Sequence, residues 1–374
     1  MLVALALIVV LFQILTDGVL LRPGNVSNVI QQNGYILILA IGMVIVIISG
    51  HIDLSVGSIA GFVGAISAQL MSKNDVPWPA AIVICLIIGA LIGAWQGFWI
   101  AYVGIPSFIV TLAGMLAFRG ATIKVLDGTS IGRLPAEFRR KTTGFLPGDD
   151  MGLTDSLHNL TLLLGLLFAA FAVYTQIRER RLHVKYGGNA LPLQWFAVKC
   201  AAIAAAIMAF TWLLAKAEGY PVVLLILASL LILYGFIMKQ TVLGRHIYAV
   251  GGNQAAAKLS GVKSQRVSFF VFVNMGLLAA LAGLLVTARL NSAVATAGTN
   301  FELDAIAASF IGGASASGGV GTVFGAVVGG LVMGVLNNGL SLKSVDVSDQ
   351  QIIKGLLLLF AVAFDVYNKK KVGR

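Results

Sequence analysis

The stretch Gly50-His-Ile-Asp-Leu-Ser-Val-Gly-Ser58 lies between two apolar runs, Tyr35–Ser49 and Ile59–Met71. It places an ionisable Asp53, a titratable His51 and the hydroxyls of Ser55 and Ser58 between Gly50 and Gly57. Ionisable side chains among membrane-spanning segments point to function by default. Irregular backbone at that depth is tolerated only where it faces protein or a wet cavity. The plainer alternative is a short polar turn at the membrane surface between two spans. Chemistry favours the first reading, which makes His51, Asp53, Ser55, Gly57 and Ser58 candidates for a translocation path.

Composition supports a membrane setting. Of 374 residues, 58% are hydrophobic and 11% are charged, with a mean hydropathy of +0.93. A soluble domain carries roughly 25% charged residues. The apolar runs are continuous rather than alternating, which argues for helices and against barrel strands. The fold expected is an all-α polytopic membrane protein of about ten spans, one transmembrane domain over residues 1–374. Met1 runs into Leu2–Leu15 without a basic leader, so this segment reads as a span rather than a cleavable signal. Cys85 and Cys200 lie in apolar runs, and the four histidines are dispersed, so neither a disulfide framework nor a metal site is expected.

The net charge of +11 is concentrated. Arg178–Lys185, Lys239–Arg266 and Lys369–Arg374 hold half of the 26 Lys and Arg but one of the 15 acids. The positive-inside rule places all three in the cytoplasm, with both termini inside. Basic patches also attract nucleic acid, but between spans the membrane accounts for them, so the expected partner is lipid and not nucleic acid. The remaining spans then leave Lys124–Leu157 outside, with five bases and five acids. A Gly-rich tract, Leu303–Leu340, must cross the membrane twice or not at all. It reads as a re-entrant hairpin or a pair of short helices.

An internal echo links this tract to the opening stretch. Ile48-Ser-Gly50 precedes Val56-Gly-Ser-Ile-Ala-Gly61, and Ile311-Gly-Gly313 precedes Val320-Gly-Thr-Val-Phe-Gly325. Paired Gly-interrupted segments in two related halves point to the path of a transporter, which adds Gly313, Gly319 and Gly321 to the candidates. Glycine-rich helices also arise for packing alone.

No phosphate-binding Gly-x-x-x-x-Gly-Lys-(Ser/Thr) sequence or Gly-x-Ser-x-Gly elbow is present. An enzyme is not expected, and no cofactor. Within Lys239–Arg266, the sequence from Gly244 to Val262 reads as a short helix. Asn253 suits its N-cap, the residues after it are strong helix formers, and Gly261 suits its end. The small Ala256 and Ala257 would let another protein approach closely. Gly244, Arg245, Gly251, Asn253, Ala256, Ala257 and Gly261 are therefore candidates for coupling to an ATPase. The alternative is a helix lying on lipid phosphates.

Five ordered motifs resemble the permease subunits of bacterial ABC sugar importers of the ribose/xylose/arabinose/galactose family. They are residues 51–58, 106–120, 248–262, 302–313 and 318–326. His51, the long 124–157 segment and Arg289-Leu-Asn-Ser are most similar to the multiple-monosaccharide permeases, with xylose permeases close behind. The resemblance implies import of a monosaccharide across the bacterial inner membrane by a homodimer of this chain. It also implies a separate ATPase docked on Gly244–Val262 and a periplasmic sugar-binding protein. The competing reading is an ion- or proton-coupled sugar carrier using His51 and Asp53.

Among the other residues, Asp53 reads as an anchor for a broken helix in preference to a path residue. His51 reads as a packing or capping group in preference to a sugar ligand. Arg289, Asn291, Glu302 and Asp304 cluster near the outer face, as rim structure or as a docking site.

Overall fold

The computed structural model describes residues 1–147, 158–187 and 192–372. These residues are overwhelmingly helical, as expected for an all-α polytopic membrane protein. In chain order the helices are α1 Leu2–Leu15, α2 Pro23–Ile48, α3 Val56–Ala68, α4 Trp78–Phe98, α5 Ser107–Leu126 and α6 Ala136–Thr143. They continue as α7 Asn159–Lys185, α8 Leu193–Ala215, α9 Val222–Gln240, α10 Val242–Gly252 and α11 Gln254–Leu259. The last four are α12 Ser264–Leu290, α13 Phe301–Ile311, α14 Val323–Leu342 and α15 Val347–Val372. Short π-helical turns extend α3 (Gln69–Lys73) and α4 (Trp99–Val103). Two-residue strands, β1 Ile131–Gly132 and β2 Ser292–Ala293, pair antiparallel.

Nine helices among the described residues are long and apolar enough to cross a membrane. The difference from the expected ten lies in three places. The apolar runs around α1 and α3 give helices of 14 and 13 residues. At 1.5 Å per residue α1 reaches about 20 Å, short of the ~30 Å hydrocarbon core, and α3, even with its π-helical turn to Lys73, is not among the nine. The Gly-rich tract contains a full-length helix instead, since α14 has 20 residues. It is preceded by the 11-residue α13, so the tract is a pair of helices of unequal length. The basic stretch Arg178–Lys185 is not a loop: α7 runs straight through it, because Arg, Glu, Leu and Lys are all good helix formers.

The described chain divides into two compact units. The larger comprises Met1–Leu20, Val29–Thr143 and Val223–Arg374. Its centre is α2, where no hydrophobic side chain from Ile36 to Ile48 is more than 3% exposed. A helix that is apolar all round belongs in such a position. Around it, helices approach through glycine. A β-carbon at Gly93 of α4 would overlap the Phe272 carbonyl of α12, and one at Gly283 of α12 would overlap that of Ala60 in α3. Small residues serve this purpose in membranes because van der Waals contact replaces the hydrophobic effect as the force between helices.

The smaller unit comprises Leu21–Asn28 and Gly144–Val222, and is built on α7 and α8. Gly165 of α7 receives the Thr211 side chain of α8. The Arg180 guanidinium lies 4.6 Å from the centre of the Phe196 ring. Residues 148–157 of the segment expected outside the membrane fall beyond the described residues.

Candidate functional site

The opening stretch is a break between α2 and α3. After Ile48 the backbone turns at Gly50, whose φ of 84° suits a residue without a side chain. The amides of Gly50 and His51 donate back to the carbonyls of Ile47 and Val46 at 2.9 and 3.1 Å. Asp53 is fully buried. Its Oδ1 accepts from the Ser55 amide at 2.8 Å and from the Ser55 hydroxyl at 2.6 Å. Gln96 of α4 donates to that hydroxyl at 2.8 Å. Ser58 donates to the Ser55 carbonyl at 2.8 Å. The result is a polar knot at the start of α3, tied to α4. His51 is turned elsewhere, with Nε2 3.1 Å from the Ser268 hydroxyl of α12 and its ring tilted against Phe272. Gly57 packs on the Gly298 carbonyl.

The tract between α13 and α14 is a second break, and it also turns on a left-handed glycine, Gly313, with φ 86°. Ser315 and the Ala316 amide both donate to Asp365 Oδ2 of α15, at 3.0 and 3.3 Å. Thr322 caps α14 by accepting from the Gly325 amide at 3.0 Å. The two breaks differ in register. Ser58, which the sequence echo aligns with Thr322, lies inside α3, whereas Thr322 precedes α14. The first helix therefore starts earlier in its motif than the second.

The breaks touch, and the segment after α9 touches both. The Gly319 amide donates to the Ile48 carbonyl at 2.8 Å. Gly251, near the end of α10, lies against that same carbonyl and the Gly319 amide so closely that no β-carbon would fit. A β-carbon at Gly318 would stand 2.7 Å from the Gly251 carbonyl and 3.1 Å from Gly50 Cα. Tyr248 of α10 donates to the Gly321 carbonyl at 2.7 Å. Burial holds its phenol above the usual range, so it stays a protonated donor. Gly251, Gly319 and Gly321, singled out separately in the sequence, thus share one backbone junction.

The expected single helix from Gly244 to Val262 is two, because Asn253 is extended (φ −159°) and ends α10 while starting α11. Asn253 Oδ1 accepts from the Ala256 amide at 3.0 Å, and α11 ends before the left-handed Gly261. Gly244 sits in the first turn of α10, bound at its amide by Thr241. Arg245 and Ala256 are exposed, while Ala257 is buried. A cavity of about 1120 Å³ opens beside His51, Gly50, the turn before α5 and the start of α12.

Comparison with known proteins fits this architecture. Residues 25–362 match the family described as branched-chain amino acid transport system / permease component. The chain belongs to this permease family. It is 41% identical over its whole length to the xylose transport system permease protein XylH of Haemophilus influenzae, covering 96% of that protein. Identity to XylH of Escherichia coli is 40%, over 99% of this chain and 92% of the relative. The ribose import permease protein RbsC of Haemophilus influenzae is 36% identical over 92% of this chain and 85% of its own. The resemblance to sugar-importer permeases read from the motifs is thus matched along the chain, on its xylose-type side. No solved structure gives a significant match.

The acidic residues of α13 are not a surface rim. Glu302 and Asp304 are buried in the first turn of α13. The Lys354 ammonium of α15 lies 3.2 Å from Asp304 Oδ1 and 3.4 Å from Oδ2. Asn291 is used structurally: its Oδ1 accepts from the Leu134 amide at 3.1 Å. Gln96, Tyr248, Lys354 and Asp365 were missed by the reading of the sequence. Three of them are lone polar residues in apolar runs, the signal that membrane chemistry offers for such sites.

Proposed function

We propose that this permease is the transmembrane subunit of an ABC importer carrying a monosaccharide of the xylose, glucose, galactose or arabinose type into the cytoplasm. The observation that carries the proposal is the glycine junction, in which α10 meets both helix breaks at backbone distance. A push on α10 would reach Ile48 and Gly319 without passing through a flexible side chain, and Gly321 through the Tyr248 hydroxyl. That arrangement suits coupling to an external ATPase docked on 239–266, with Arg245, Asn253, Ala256, Ala257 and Gly261 shaping the dock. The similarity to xylose and ribose permeases supports the sugar.

In this reading, Asp53 and Ser55 hold the first break in shape. His51, Gly57, Ser58, Gly313, Gly319 and Gly321 belong to the path or its walls. Two copies of the chain act together in the bacterial inner membrane with both termini cytoplasmic. A periplasmic binding protein delivers sugar to the other side, where 124–157 lies, and ATP is hydrolysed by the partner. An ion-coupled carrier built on His51 and Asp53 has less support, since Asp53 is enclosed and already held by Ser55.

The test is reconstitution into proteoliposomes. ATP-driven uptake of D-xylose is expected only when an ATPase and a sugar-binding protein are both present. Uptake by this chain alone, driven by an ion gradient and abolished by an uncoupler, would refute the reading.

A further inference from the structure

We infer that the outer end of α2 and α12 forms a monosaccharide-receiving subsite lined by Gln31, Gln32, Tyr35, Arg289 and Phe301. This rests on the import reading and assigns it a contact point. These side chains, with three aliphatic residues of α12, surround a pocket of about 180 Å³. Pockets for drug-sized molecules occupy roughly 300–1,000 Å³, so the guest is about one ring in size.

The lining has the character of a small-molecule site, mostly apolar with a few convergent polar groups. Gln31, Gln32 and Tyr35 fall on one side of α2 because positions three and four apart are neighbours on a helix. Phe301, at the start of α13, stacks on Tyr35 with ring centres 3.8 Å apart and planes at 23°. This pair fixes a flat aromatic wall suited to the C–H face of a sugar ring. Two amides and a guanidinium supply donors and acceptors for its hydroxyls.

Among the described residues, the side chains of Gln31, Gln32 and Arg289 have no hydrogen-bond partner. All three belong to helices that qualify as membrane spans. Polar groups in such helices face protein or a wet cavity rather than lipid, so unpaired ones mark where water or a hydroxylated ligand comes. The lining residues of α2 lie about 20–25 Å along the helix from Ile48, in the half of α2 away from the glycine junction. The subsite is therefore placed to meet sugar before the glycine junction does. The few polar contacts suit transient holding, since a path that binds tightly keeps its cargo.

The experiment uses the full chain in lipid nanodiscs with D-xylose as probe, read by saturation-transfer NMR. Transfer to xylose is expected from the wild type. Loss of one hydrogen bond changes affinity about fivefold, so Gln31→Ala/Gln32→Ala, which removes two, should weaken binding by about 25-fold, and Gln32→Trp should abolish the signal by filling the pocket. No transfer from the wild type, or undiminished transfer from both folded variants, overturns the subsite. If Gln32→Trp fails to fold, the double alanine variant decides. ATP-driven uptake by the wild-type assembly is measured separately, so the import reading stands or falls on its own result.

Discussion

The amide of Gly319 donates to the carbonyl of Ile48 at 2.8 Å, joining the segment that follows α13 to the end of α2. The bond links two helix breaks through backbone alone. Gly251 packs beside it, and a β-carbon there would overlap the Ile48 carbonyl. The junction is therefore stiff, and changes at its edge should be transmitted rather than absorbed.

The first prediction concerns Tyr248. Its hydroxyl is the side-chain tie between α10 and Gly321. Tyr248→Phe removes that tie and leaves the ring in place, at a cost of about 1 kcal/mol. ATP-driven uptake should fall severalfold while the ATPase still co-purifies. Wild-type uptake from the variant would remove this bond from the coupling route.

Gly251 and Ala256 separate two roles on neighbouring helices. Gly251→Trp has no room at the junction and should abolish uptake even where the ATPase binds. Ala256→Arg projects from exposed α11 and should weaken ATPase association first. Co-purification of the two variants with the ATPase distinguishes them; identical behaviour would mean that α10 and α11 act as one surface.

Asp53 should matter through Ser55 and Gln96. Hydrogen bonds between membrane helices are worth about 0.6 kcal/mol on average, so Gln96→Leu is expected to be mild. Asp53→Ala frees both the Ser55 amide and hydroxyl at a buried site, where an unsatisfied group costs about 1–3 kcal/mol. A lower melting temperature for Asp53→Ala than for Gln96→Leu, with uptake lost in the former, is the expected pattern. Should Asp53→Ala melt like the wild type but fail to transport, the carboxylate acts on the path instead of on the break.

Lys354 and Asp304 form an ion pair in which Asp304 is 4% exposed and Lys354 is 23% exposed. Removing one partner of a buried pair costs about 3–5 kcal/mol, whereas replacing both with apolar groups is often neutral. Lys354→Met should therefore be strongly destabilising, and Asp304→Leu/Lys354→Met should recover most of the loss. The comparison is a thermal melt of each variant in detergent. A double variant no better than the single would assign the pair a role beyond balancing charge.

Much of the fold was legible because lipid imposes a simple rule: long uncharged runs become helices. The caps at Asn253 and Gly261 were legible for a local reason as well, since each depends on its own backbone conformation and nearest neighbours. The apolar runs at Leu2–Leu15 and Ile59–Met71 also stand as helices, α1 and α3 with its π-helical turn. Hydropathy marks such a run as helical without fixing how much of the membrane it crosses.

What the sequence determined by itself was the membrane class, the permease resemblance, the polar break at Gly50–Ser58 and its glycine-rich counterpart near Gly313–Gly325. Local chemistry suffices for these, because polarity and missing side chains stand out against apolar runs. Only the tertiary structure decided what those glycines are for. Gly50, Gly251, Gly318 and Gly319 are far apart in the chain, and a residue without a side chain carries no label for its partner. Close backbone approach is a property of two segments at once, so it becomes visible only when both are placed. The same holds for Ser55, whose partner Gln96 lies on another helix, and for Asp304, whose partner Lys354 does.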